Sequence, residues 1–111
     1  MAMTTTFEQS EPSRADIEAI EEGLVIEFGT PWCGHCQAAQ PLLAEAFAAT
    51  PPLRHMKIED GPGRPLGRSF RVKLWPTLVF MKAGVEVTRL VRPASSAAIV
   101  EALARLVDAR S

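Results

Sequence analysis

Cys33-Gly34-His35-Cys36 holds both cysteines of the chain, two residues apart. Strand-like residues precede this motif and helix-like residues follow it, and a pair so spaced can close into a small disulfide ring. The free N–H groups and the dipole at a helix start stabilise negative charge, so the first cysteine is favoured as thiolate. His35 adds a positive charge beside it when protonated. Cys33 is therefore the expected nucleophile. Cys36, one turn further in and less exposed, is placed to resolve a mixed disulfide between Cys33 and a substrate. The expected outcome is an oxidised Cys33–Cys36 pair and a reduced client, or the reverse. A zinc site would need further ligands, and only His35 inside the loop and the distant His55 are of the soft type. No metal is expected. A pair of inert buried thiols fits poorly as well, because Pro31, Trp32 and Gly34 put the motif on an exposed turn.

The elements that must carry this motif follow from pattern. Leu24-Val25-Ile26-Glu27-Phe28 is nearly continuous in apolar residues, as in a strand covered on both faces, and Gly29-Thr30-Pro31 ends it. From Gly34 the composition turns helical, with Leu42, Leu43, Ala46 and Phe47 as a stripe and Pro41 interrupting mid-course. That helix should stop before Pro51-Pro52. Upstream, Pro12-Ser13-Arg14-Ala15-Asp16 opens a short helix with Ile17 and Ile20 inward and Gly23 as its end. Downstream, Leu53–Ile58 reads as a strand, and Gly61-Pro62-Gly63 leads into a short irregular or helical piece ending near Phe70. Thr77–Met81 and Val85–Val91 are two strands joined through Lys82-Ala83-Gly84, an antiparallel hairpin. Ser95 or Ser96 caps a last helix carrying Ile99, Leu103, Leu106 and Val107 at helical spacing. The sum is an α/β fold with a mixed sheet and helices on both faces.

A chain of 111 residues with 47% hydrophobic content is enough for one domain with one core. Residues 1–12 are polar and aperiodic, a tail with a short edge strand around Thr5–Phe7, and 13–111 form the domain. Twelve basic residues against thirteen acidic ones give a net charge of −1 with no dense Lys/Arg cluster, so nucleic acid is not an expected partner. No signal-like start or membrane-length apolar run is visible, and no cysteines remain for structural bridges. A cytoplasmic monomer is the expectation.

Phe28, then Trp32-Cys33-Gly34-His35-Cys36, then Pro41, then Trp75-Pro76-Thr77 resembles the thioredoxin family over about 85 residues. The resemblance implies the thioredoxin fold, with four to five strands, and dithiol–disulfide exchange with protein or peptide clients. It implies no bound cofactor, and it admits a thioredoxin reductase as the recharging partner. The Gly-His pair between the cysteines looks like that of protein disulfide isomerase domains, and Glu27 likewise leans toward the isomerases. By the same resemblance Glu27 is a proton carrier for Cys36, with Lys57 as its partner. Physically, a carboxylate within an apolar strand needs a partner or a job, unless it points outward at an edge. Pro76 matches the family's cis-proline, which faces the cysteines and lets the backbone of the preceding residue pair with an extended client.

Three departures from the family pattern bear on clients. Trp75 stands where a smaller residue is usual, and its ring either widens an apolar client groove or packs on Trp32 or the last strand. Arg92-Pro93 replaces a glycine of the client-facing rim, and Leu74 replaces a small residue. Trp32, Gly34, Trp75, Pro76 and Arg92 are the expected client-binding residues. A rival reading makes the cysteines a redox switch on a docking surface of Trp32, Trp75 and Arg92, without significant turnover; turnover of an insulin-type disulfide separates the two. His55 has no visible partner and is assigned to the polar face of its strand. Met56, Met81 and the phenylalanines at 28, 47, 70 and 80 are assigned to the core, and Glu18, Glu21 and Glu22 to a solvated helix face.

Overall fold

The computed structural model describes residues 3–51 and 53–108. Eight elements follow in the order α1 Arg14–Glu18, β1 Leu24–Gly29, α2 Gly34–Ala48, β2 Arg54–Glu59, α3 Pro65–Ser69, β3 Thr77–Lys82, β4 Val85–Val91 and α4 Ser96–Asp108. The strands form one sheet in the order β2-β1-β3-β4. β1 runs parallel to β2 and antiparallel to β3, and β3 and β4 form the antiparallel hairpin. The expected mixed sheet is therefore present with four strands. The edge strand expected around Thr5–Phe7 is reduced to a single parallel bridge, Phe7 to Lys57, with the Glu8 N–H donating to the Lys57 carbonyl.

Strand alternation sorts the side chains between two faces. Leu24, Ile26 and Phe28 of β1 join Met56 and Ile58 of β2 under α1 and α3, with Ile17, Leu66 and Phe70 closing that core. Val25 faces the other way, onto Ala39, Leu43 and Ala46 of α2 and Ile99, Leu103 and Leu106 of α4. Glu27, His55 and Lys57 take the same parity as Val25 and so turn toward α2. Phe28 has no exposed surface, and truncating such a side chain to alanine costs about 3–5 kcal/mol.

Local chemistry sets the element ends. Ser13 and Asp16 make a reciprocal capping box for α1, which stops at Glu18, well short of Gly23. The Glu21 carbonyl beyond it accepts the Ala83 N–H of the hairpin turn, and Gly84 passes so close to the Glu18 carbonyl that a Cβ would stand 2.5 Å from it. Ala83 and Gly84 both have positive φ, 52° and 79°, the pattern of a two-residue hairpin turn whose twist matches the strands. Ser95 Oγ accepts the Ala98 N–H at 3.2 Å and so caps α4. α2 runs continuously through Pro41.

Candidate active site

β1 ends at the site and α2 begins there. Cys33 is the N-cap of α2, with extended backbone, and its Sγ accepts the Cys36 N–H at 3.2 Å. Both thiols are free. Cys33 is nearly covered and Cys36 more so, while Pro31, Trp32, Gly34 and His35 around them are exposed. Gly29 makes this approach possible: a Cβ there would stand 2.5 Å from Cys36 Sγ. Sequence reasoning treated Gly29 only as a strand end. Gly34, by contrast, has open space where its Cβ would be.

Cys36 is held protonated. Burial pushes its thiol up to about 12, helped by the hydrogen bond to Cys33 and by the negative charges of Cys33 and Glu27, against a lowering backbone contact from Thr30. Two of these causes depend on Cys33 being a free thiol or thiolate. Once Cys33 is bound in a mixed disulfide they vanish, and the Cys36 proton becomes easier to remove.

Glu27 is buried, 1% exposed, so it does not point outward. Lys57 Nζ and Gln40 Nε2 donate to Oε2 at 2.9 and 2.8 Å, and His55 Nε2 stands 3.0 Å from Oε1. Lys57 also donates to Gln40 Oε1 at 3.2 Å. The Glu27–Lys57 pairing implied by resemblance is thus present, opposite one another across β1 and β2. Burial alone would push the Glu27 carboxyl up, but the His55 hydrogen bond, the Lys57 charge and hydrogen bond, and the Gln40 amide together hold it below its usual 4.5.

His55 corrects the reading of a polar strand face. It is buried, its ring lies 5.0 Å from that of Phe47, and its Nδ1 accepts the Thr4 N–H at 3.0 Å. A ring whose Nδ1 accepts must carry its proton on Nε2, so His55 is a neutral donor to Glu27. The face is closed by α2 and by the segment around Thr4 and Phe7, whose ring lies 4.8 Å from Lys57 Nζ. The signal available in sequence was the spacing: His55 and Lys57, two apart, share one strand face beside a strand with a buried carboxylate. Gln40 was missed too; one turn below Cys36 it bonds both Glu27 and the Cys36 carbonyl. Beside these residues a groove of about 510 Å³ opens between Phe7, Pro31, Cys36, Gln40, Pro41 and Lys57.

On the other side of the cysteines the Trp75–Pro76 bond is cis. The Trp75 ring packs edge-on to Trp32, centroids 5.7 Å apart, one of its two expected placements. Its Nε1 donates to Asp60 Oδ2 at 2.9 Å. Arg92 sits in the left-handed region at φ 49°, a conformation suited to glycine, held by its N–H on the Pro76 carbonyl and its Nε on the Trp75 carbonyl at 2.8 Å. The carbonyl that the resemblance offers to a client is occupied by Arg92.

A family model described as Thioredoxin matches residues 4–105. Among solved structures, thioredoxin 2 from Pseudomonas aeruginosa PAO1 in its reduced form is 53% identical, with a TM-score of 0.84, covering 96% of this chain and 99% of that one. Protein disulfide isomerase-like 1-4 of Oryza sativa subsp. japonica is 34% identical over 86 residues, 74% of this chain but 15% of its own length. Thioredoxin H-type 1 of Nicotiana tabacum is 32% identical over 68 residues, 61% of this chain and 54% of that protein. The chain thus spans about half or less of these curated relatives and nearly all of the Pseudomonas chain.

Proposed function

Because the chain belongs to the thioredoxin family, we propose that it is a thiol–disulfide oxidoreductase acting on protein or peptide clients through Cys33 and Cys36. The observation that carries this is the asymmetry of the pair: Cys33 Sγ caps α2 and accepts the Cys36 N–H, while the Cys36 thiol is held protonated.

In the reducing direction the Cys33 thiolate attacks one client sulfur, the client S–S bond breaks, and the departing client thiolate takes a proton from water. Cys36 then loses its proton and attacks Cys33 Sγ; the mixed disulfide breaks and the second client thiolate leaves. Two electrons pass from the dithiol to the client, and the same intermediates run backwards oxidise a dithiol client. The order is favoured by the charges, since Cys36 becomes easier to deprotonate once Cys33 is spent, burial remaining the main cause of its raised thiol. Glu27 is the buried carboxylate that receives the Cys36 proton, and Lys57 balances its charge. Cys36 lines the adjacent groove together with Gln40 and Lys57, both hydrogen-bonded to Glu27, so a water in that groove is the proposed link between the thiol and the carboxylate's partners. His35, exposed in the first turn of α2, stabilises the Cys33 thiolate when protonated and shifts the potential toward oxidising values. The client lies across Trp32, Gly34 and Trp75-Pro76, with Arg92 at the rim.

The protein works in this reading as a cytoplasmic monomer recharged by a thioredoxin reductase. Supporting this, both cysteines lie in one motif, and among the described residues no helix is long and apolar enough to cross a membrane. The test is reduction of an insulin-type disulfide by the reduced protein under multiple turnover. Catalytic turnover that disappears with Cys33→Ser is expected; binding of clients without turnover would sink the reading.

A further inference from the structure

The chain carries a net charge of −1, yet four of its twelve basic residues converge on one cleft. Arg64, Arg68, Arg71 and Lys73 line a hollow of about 360 Å³ whose one carboxylate is Asp60. That carboxylate is engaged, accepting the Trp75 indole N–H through Oδ2. Arg64 reaches Glu59 at 3.6 Å, whereas Arg68, Arg71 and Lys73 form no ion pair among the described residues and are exposed. The fold brings them together at some cost. Arg71 adopts φ 59°, in the left-handed region that an L side chain rarely takes, and α3 sits so tightly on Asp60 that a Cβ at Gly67 would collide with its carboxylate. With Arg64 shared with Glu59 and one carboxylate, Asp60, facing Arg68, Arg71 and Lys73, the cleft keeps an excess of positive charge, which favours an anion there.

Its location names the anion. Asp60 joins the cleft to Trp75, Trp75 packs on Trp32, and Trp32 adjoins Cys33. The cleft thus adjoins the tryptophan pair beside Cys33, within reach of residues that flank a disulfide engaged there. The hollow is far larger than one small inorganic anion and falls in the range that accommodates several side chains. Guanidinium groups match carboxylates in shape as well as charge. Resting on the exchange activity proposed above, we infer that this cleft docks an acidic stretch of the client polypeptide flanking its disulfide, and so selects acidic clients.

The experiment compares two peptide disulfides, identical except for three Glu or three Gln on the flank, with the reduced full-length protein. The Glu peptide should show a lower KM and a kcat/KM about tenfold higher, the size that two or three exposed ion pairs supply together. The advantage should shrink on raising salt from roughly 0.05 to 0.3 M, as the Debye length falls below the span of the pairs. Arg68→Glu/Arg71→Glu should abolish or invert the preference while leaving the Gln peptide's kcat unchanged, and Arg105→Glu, on α4, should retain it. Equal use of both peptides at low salt would overturn the inference, as would a double variant that loses both substrates alike. Saturation of the cleft by inorganic phosphate without discrimination between peptides would make it a free-anion site and equally overturn it. Turnover of the Gln peptide reports separately on the exchange activity, so failure of one reading is not failure of the other.

Discussion

His55 Nε2 stands 3.0 Å from Glu27 Oε1, and the Thr4 amide fills the other nitrogen of the same ring. The imidazole is therefore fixed as a neutral donor, and the charge under Cys36 is that of the Glu27–Lys57 pair alone. Every donor in this cluster converges on one carboxylate: His55 and Lys57 from β2, Gln40 from α2. Replacing His55 by Leu removes one donor, so the Glu27 carboxyl should rise toward the neutral range. The pH profile of second-thiol release in single turnover should then gain an ionisation. His55→Gln, whose side-chain amide can donate from a similar place, should restore the original profile. If the Leu and Gln variants gave the same profile, His55 would be packing only.

Glu27 should also leave its mark on stability. Its folded pKa lies below the ordinary 4.5, so its contribution is fully present above that value and is lost as pH falls through the folded value. Glu27→Gln strands the Lys57 charge in a buried site, a loss of about 3–5 kcal/mol at neutral pH. On acidification the native carboxyl protonates and comes to resemble the amide, so the gap between the two proteins should narrow below the ordinary carboxylate range. Urea midpoints measured from neutral to acid pH give this directly. A gap independent of pH would mean that the carboxylate charge does not matter to the fold.

Element types were legible because β1 is a nearly continuous apolar run, α4 carries a clean helical period, and the hairpin has a short turn between two β-rich runs. What was not legible came from contacts across the sheet. His55 looked partnerless since its two partners, Thr4 and Glu27, lie 51 and 28 residues away in sequence. Gln40 reads as an ordinary polar helix residue until α2 is laid over β1. The basic cleft escaped notice because its four cations are spread from residue 64 to residue 73, and only the turn at Arg71 brings them together. Cys33 and Cys36 were legible through their local motif, and cis-Pro76 through the family resemblance, since a cis X-Pro bond leaves no local mark in sequence. Glu27 was legible because its neighbours in the strand are all apolar.

The state of Cys36 makes a prediction about order. Its thiol is pushed up to about 12 in part by Cys33, so Cys33→Ala should lower the pH at which Cys36 forms a thiolate, followed by the thiolate's absorbance in the far ultraviolet. Cys36→Ser should accumulate mixed disulfides with clients, whereas Cys33→Ser should trap almost none, since attack precedes resolution. Adducts on the Cys33→Ser protein but not on Cys36→Ser would reverse the roles of the two cysteines.

Arg92 occupies the Trp75 carbonyl from a backbone conformation that suits glycine. An extended client that uses this carbonyl must first displace the Arg92 Nε–H, and an exposed hydrogen bond of this kind is worth about 0.5–1.5 kcal/mol. Arg92→Gly removes the competitor and also relieves the left-handed strain, about 1 kcal/mol for an L residue, so the protein should lose little stability. The variant should therefore turn over a neutral peptide disulfide with kcat/KM raised up to about tenfold, chiefly through KM. Loss of a positive charge at the rim offers a competing explanation for any change, but that effect is screened at roughly 0.3 M salt whereas release of the carbonyl is not. A gain that persists at high salt, together with an unchanged thermal midpoint, identifies Arg92 as a residue that competes with the client for the Trp75 backbone. A KM that stays at the wild-type value would mean that clients bind without this carbonyl, and the Trp32–Trp75 pair would then carry recognition through its rings.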